Sequence, residues 1–263
     1  MTLRRDYVRN SSPWSREEVL KEARMRRSEL VRIFLRSLTI QASLNFWRMQ
    51  NLGFAFSILP LAKSKKRGSN QFVEFLVRHL EVFNTHPYLL APILGTVVSF
   101  EERDAGEKAA EFKSALSAPY AAIGDSFFWG AFRPFAGIAT LVVAFLGYVS
   151  APLIMLGIYN MPHFWVRIGG FWSGYRKGQE GIQFIRDLDL YKQAKWIRWI
   201  SIVLLGVLGF IASRSFSTVL PCFPAVAVLP LILIFFEAIR KGLSQLILLY
   251  GVLIVALGIE FLL

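Results

Sequence analysis

Cysteine and histidine are nearly absent from this chain, and acidic residues are scarce beside basic ones. The single cysteine, Cys222, lies in an apolar run, which excludes an intrachain disulfide framework or a thiolate metal cluster. Three histidines, His79, His86 and His163, show no metal-ligand spacing, and no Ser/His/Asp constellation or glycine-rich nucleotide loop accompanies them. No cofactor and no metal are therefore expected. Also missing is a compact apolar segment with a small-residue cleavage site near the N-terminus; Arg4, Arg5, Arg9, Arg16, Lys21, Arg24, Arg26 and Arg27 occupy that region, so no secretory signal peptide is expected. Asp and Glu number 18 against 30 Lys and Arg, a net charge of +12. These cations do not alternate with stacking aromatics on one face, which argues against nucleic acid as a partner. They flank apolar runs instead, as juxtamembrane Lys and Arg do on the cytoplasmic side, beside membrane lipids.

What the chain has in abundance is apolar surface. It is 54% hydrophobic and 14% aromatic, above the roughly 45–50% usual for soluble domains. The expected fold is all-α: a polytopic helical membrane protein with broken or re-entrant helices and an N-terminal amphipathic helix. Three parts are expected: a basic cytoplasmic segment over 1–27, a membrane core over 28–198, and C-terminal transmembrane helices over 199–263. Ser15 is placed to cap a helix beginning near Glu17 and Glu18. Over 28–49, Arg32, Arg36, Thr39 and Ser43 share one helical face and Leu30, Ile33, Phe34 and Leu38 the other, which suits a helix lying in the membrane interface or against a partner. The apolar runs 51–62 and 87–100 are shorter than the ~20 residues a span needs. Lys63 to Arg67, with their neighbours over 63–78, and the charged stretch 101–113 read as solvated connectors. Full spans are expected at 135–161, 199–213, 219–236 and 242–263. Seven cations within 164–198 place that stretch in the cytoplasm, with the N-terminus inside and the C-terminus outside.

Two polar constellations interrupt the apolar pattern. In "HLEVFNTHPYLLAPILG", 79–95, one helix is expected to end near Asn84 and another to begin at Pro87. Glu81, Asn84, Thr85 and His86 at such a break either cap and satisfy the turn, with Arg78 pairing Glu81, or line a polar path whose donors and acceptors suit a sugar. In "APYAAIGDSFFWGAFRP", 118–134, Asp125 either caps a helix starting at Ser126 or pairs with Arg133 in one transport state. Asn45, Arg48, Gln50 and Trp129 are candidate subunit-interface residues. Trp47, Trp129, Trp165 and Trp172 either stack on a sugar ring or, as most such tryptophans do, form aromatic belts at the membrane surface. Gly169, Gly170, Gly174 and Gly178 are spaced for close helix packing, an assembly signal. An intramembrane enzyme would need a catalytic dyad or metal set, and Glu101–Glu102 comes without neighbouring histidines.

Five segments in order carry a resemblance: "FLRSLTIQASLNFWRMQNLGFAFSILP" at 34–60, "RHLEVFNTHPYLLAPILG" at 78–95, "EE" at 101–102, "IGDSFFWGAFRP" at 123–134 and "PLIMLGIYNMPHFWVRIGGFWSGYRKG" at 152–178. Through them the chain resembles the IID component of the mannose/fructose/sorbose family of the bacterial sugar phosphotransferase system (PTS). The resemblance implies a subunit of the cytoplasmic (inner) membrane that forms the path of a hexose-type sugar with a IIC subunit, in a homo-oligomer of IIC–IID pairs. Phosphate would travel on the soluble IIA and IIB subunits, so no phosphorelay residue is expected in this chain. Two departures point to an alternative, a transport-inactive scaffold or regulator of a sugar-sensing complex. The glycine-rich lead usual in the family is replaced by "SALSAPYAAIGDS", which stiffens it, and the part after about 180 is shorter than in typical members.

Overall fold

The computed structural model describes residues 25–64, 68–216 and 228–262. The expected cap at Ser15 and Cys222 lie outside these. Helices make up the described chain, with no strand beyond isolated bridges of Asn45 and Phe83 to Met49. Two units divide it: residues up to Ala136 together with Leu156–Arg198, and Gly137–Met155 together with Trp199–Leu263.

In the first unit, α1 (Arg27–Ser37) is amphipathic and buries Leu30, Ile33 and Ser37. It stops well short of the expected helix over 28–49. Ser37 Oγ and Thr39 Oγ1 donate to the carbonyls of Phe34 and Arg36, ending the helix by side-chain competition. A 3₁₀ turn (Ile40–Ser43) and a tight turn over 44–49 follow, and then α2 (Asn51–Ile58). Helix α3 (Asn70–His79) is capped by Ser69, whose hydroxyl accepts from the Phe72 amide.

Helix α4 (Leu90–Glu101) is the centre of this unit: every residue except Phe100 is buried. Its twelve residues are about 18 Å long, too short to cross a hydrocarbon core, and protein sheathes it. Helix α5 (Gly106–Gly124), a π-helical segment (Asp125–Phe132) and α6 (Arg133–Phe145) run on as one 40-residue helical stretch. The hairpin expected over 118–134 is thus a continuous helix, and Asp125, at φ −62° and ψ −44°, sits inside it and caps nothing.

The uncharged run 135–161 is not one span. Gly147 at φ +90° lets the chain turn between α6 and α7 (Ala151–Lys177). A 3₁₀ turn (Gly178–Ile182) and α8 (Gln183–Asp187) lead into α9 (Leu190–Phe216), which absorbs the expected span at 199–213. Helices α10 (Val228–Arg240) and α11 (Gln245–Leu262) belong to the second unit.

Glycine sets the closeness of α4 and α7. A Cβ on Gly95 would strike the Phe171 carbonyl, and one on Gly174 the Pro92 carbonyl, so only glycine permits this crossing. Gly170 also faces Pro92, and Gly169 faces Phe184. The glycine pattern of α7 therefore packs the chain against itself.

Candidate functional site: the polar seam at the helix break

The break between α3 and α4 spans 80–89, wider than the Asn84–Pro87 interval expected, with Pro87 in a turn ahead of α4. Its backbone polar groups have few helical partners, and side chains from the 45–51 turn replace them. Gln50 Nε2 donates to the Thr85 carbonyl at 2.8 Å and its Oε1 accepts from the Thr85 amide at 3.0 Å. Asn51 Nδ2 donates to the Leu80 carbonyl at 2.8 Å, as does Arg48 Nη1 at 3.3 Å. Asn45 donates to Asn51 Oδ1 and accepts from the Arg48 amide, holding the turn itself. Asn45, Arg48 and Gln50 are thus engaged within the chain. Gln50 is 2% exposed, so its paired bonds count fully.

Beyond this clasp lies an aromatic cluster. His86 stacks on Phe128 with ring centres 5.1 Å apart and meets Trp129 at 4.8 Å. Tyr88 stacks on His163 at 4.4 Å, and its hydroxyl lies 3.3 Å from that of Tyr159. Arg167 lies over the Tyr88 ring and donates from Nη2 to the Pro87 carbonyl at 2.9 Å. A Cβ at Gly124 would run into the His86 side chain, which explains glycine ahead of Asp125. Burial, reinforced by the Arg167 cation, pushes the His86 imidazole down to about 3. The ring is therefore neutral. Its Nδ1 accepts from the Tyr88 amide, which leaves the proton on Nε2.

Around the break, His86 Nε2, Thr85 Oγ1 and Arg167 Nε are buried without a partner, whereas His163 bonds to the Tyr159 backbone. Each such unpartnered group costs about 1–3 kcal/mol.

The other predicted residues fall elsewhere. Thr85 and His86 enter the seam, while Glu81 and Asn84 are exposed. Asp125 and Arg133 are exposed too, and the ion pairs among the described residues include none between them. Arg78 pairs with Glu101 at 2.7 Å, not with Glu81. Sequence reasoning missed Tyr88, Tyr159 and Arg167, which come from segments about 80 residues apart. An arginine in an otherwise apolar helix was the available signal for Arg167.

A second buried network stands behind the seam. The stretch 101–113 is solvated only in part: Arg103, Asp104, Glu107, Lys108 and Glu111 are exposed, but Glu101 is 3% and Lys113 1% exposed. Glu101 Oε1 accepts from Arg78 Nε and, at 3.1 Å, meets His79 Nε2, supplying the histidine contact that the local sequence lacks. Lys113 donates to the Arg78 carbonyl and lies over the Phe54 ring. Burial, aided by the nearby Lys113 and Arg78 cations, holds the His79 imidazole below its ordinary value against the opposing pull of Glu101. This network neutralises buried charge and ties α3 to α4 and α5. No group of three or more metal-binding side chains exists among the described residues.

Known proteins share this architecture. The profile of the PTS system mannose/fructose/sorbose family IID component matches residues 24–262. The fructose permease IID component of Bacillus subtilis (strain 168) is 34% identical over 200 residues, covering 74% of this chain and 72% of that protein. The mannose-specific EIID component of Escherichia coli (strain K12) is 33% identical, covering 73% and 70%. The sorbose-specific EIID component of Klebsiella pneumoniae is 30% identical, covering 74% and 72%. Among solved structures, a chain described as a membrane protein superposes with a TM-score of 0.70, at 26% identity, covering 89% of this chain and 96% of its own length. A chain of the mannose transporter ManYZ in complex with microcin E492 gives 0.55 at the same identity and coverage. A profile match over residues 24–262, together with a relative 34% identical over 200 residues, means that the chain belongs to the IID membrane components of the mannose/fructose/sorbose family of the phosphotransferase system.

Proposed function

We propose that this subunit forms a sugar translocation path with a IIC subunit, and that uptake of a hexose-type sugar is coupled to phosphorylation by a IIB subunit charged through IIA. The observation that carries the reading is that His86 Nε2, Thr85 Oγ1 and Arg167 Nε are buried without a partner at the break, where His86 meets Tyr88 and Trp129 and Arg167 lies over Tyr88. Donors and acceptors beside aromatic rings suit sugar hydroxyls and ring faces. The family membership and the likeness to the ManYZ chain support a membrane complex with other phosphotransferase subunits. The chain itself contributes shape and hydrogen bonds; phosphoryl chemistry stays on the soluble subunits.

The distribution of Lys and Arg supports a multi-pass placement in the cytoplasmic membrane, N-terminus inside and C-terminus outside. The turn at 146–150 carries no charge and fits the outer side, between a rising 106–145 stretch and a returning α7.

Co-expression with IIC, IIA and IIB in cells lacking their own mannose-family permease tests this. Labelled hexose is expected to enter and become phosphorylated. His86→Ala and Arg167→Gln should each reduce uptake at least tenfold while the IIC–IID complex still purifies. Full uptake in both variants would remove the seam from the path. The rival reading, a scaffold without transport, draws on the Ser- and Ala-rich lead 114–122 lying in unbroken helix; a wild-type complex that assembles but takes up no sugar would favour it.

A further inference from the structure

On the far side of α4 from these residues in sequence, at its C-terminal end, a cavity of about 520 Å³ opens between the end of α4, the Gly178–Ile182 turn and α8. Phe100, Arg103, Lys177, Glu180, Ile182 and Arg186 line it. Three cations reach it from three different segments, against one carboxylate. None of the three belongs to the ion pairs among the described residues, which are Arg78–Glu101, His79–Glu101 and Arg240–Glu237.

A cation at each helix C-terminus is ordinary compensation of the helix dipole. That accounts for Arg103 after α4, Lys177 ending α7 and Arg186 in α8 one at a time. It does not account for their meeting in one cavity, nor for the half-buried Phe100 and Ile182 in its wall. The frame is also fixed. Gly178 adopts φ +58°, Thr96 Oγ1 donates to its carbonyl at 3.1 Å, Ser173 Oγ donates to the Gly181 carbonyl, and Gly181 lies against the α7 backbone at Gly174 with no room for a Cβ.

A ligand for such a site is anionic at one end and apolar at the other. Basic pockets at the ends of membrane helices recognise lipid headgroups through this combination, and the volume suits a headgroup and not a folded partner. We propose that the cavity binds the phosphodiester headgroup of an anionic membrane lipid, with Arg103, Lys177 and Arg186 on the phosphate and Phe100 and Ile182 against the glycerol and upper acyl chain.

The test is lipid retention measured by native mass spectrometry on the full chain, with its IIC partner, released from nanodiscs containing phosphatidylglycerol and phosphatidylcholine. Wild type is expected to keep phosphatidylglycerol preferentially. Each neutralised cation should cost about fivefold, so Arg103→Gln/Lys177→Gln/Arg186→Gln should weaken retention by on the order of 100-fold, and Lys177→Gln alone by roughly fivefold. Arg32→Gln/Lys108→Gln/Lys195→Gln, removing three exposed cations elsewhere, should retain the lipid like wild type. Equal retention in the pocket variants, equal loss in the control variant, or no preference over phosphatidylcholine would overturn the proposal. So would complete displacement by millimolar inorganic phosphate, which would show a free-phosphate site.

Discussion

Glycine means opposite things in the two units of this protein. In the first, Gly53, Gly95, Gly124 and Gly174 sit where a single added carbon would collide with backbone or with His86; in the second, Gly206, Gly209, Gly251 and Gly258 have nothing within 4 Å. Charge divides the same way. Glu101 is buried with Arg78 and His79, whereas Glu237 and Arg240 pair at side chains 45% and 68% exposed. Large apolar side chains such as Val203, Phe236 and Ile254 are each more than 60% exposed in the second unit. The first unit is a packed body, with a hydrophobic core that also holds a few paired charges, whose parts fit one another. The second presents apolar helix faces that suit lipid or another subunit.

The largest expected break in this contrast is Glu101→Ala. It removes the buried carboxylate that Arg78 and His79 share and should cost about 3–5 kcal/mol, seen as loss of the folded protein in a thermal melt in mild detergent. Gln50→Ala removes both bonds to Thr85 and exposes no alternative partner; about 1–3 kcal/mol is expected, with faster amide exchange across 80–86 as the specific signature. Gly95→Ala should cost a similar ~1–3 kcal/mol through overpacking, while Gly206→Ala should be neutral or stabilise by up to about 1 kcal/mol. If both alanines behave alike, the contrast between the units is wrong.

A smaller effect comes from pH. His79 has a folded pKa below its unfolded value, so the unfolded chain binds the extra proton and stability rises with pH. Stability is thus full above the unfolded pKa and falls as pH drops from about 7 toward 5. His86, also held low by burial, adds a slope of the same sign, so His79→Gln should lessen the slope in melts taken across the range and not abolish it. Smallest of all, Glu237→Ala in the exposed pair should shift stability by no more than about 0.5 kcal/mol.

Much of this was legible before any coordinates. Composition and apolar run length gave the helical membrane class, and Pro87 with its polar neighbours marked a real break. Local pattern failed where distant residues decide. Periodicity carried the amphipathic helix through Thr39 and Ser43, but hydroxyls bonding back to the chain and the Asn45 turn ended it sooner. Glu101 and Lys113 looked solvated because their neighbours are charged; their burial depends on Arg78, His79 and Phe54, contacts that no local window contains. Asp125 looked costly in an apolar hairpin, yet a continuous helix carries it to the exterior. Thr85 and His86 were found because a helix break displays its polar groups, while Arg167 was missed because its partner, the Pro87 carbonyl, lies 80 residues earlier.

Helix α4 also sets a timetable for synthesis. It is too short to enter a bilayer as an independent span, and the face that covers Gly95 is not made until Phe171 and Tyr175 have been translated. At ~5–20 residues per second, more than 70 residues separate the end of α4 from that cover, an interval of roughly 4–15 s. Through it, α4 has α1, α2, α3 and α5 beside it, with Glu101 already able to meet Arg78 and His79, but the face at Gly95 stays uncovered. Closure of the Gly95 face therefore waits on α7, and any helper that shields that face in the meantime acts before the C-terminal helices exist.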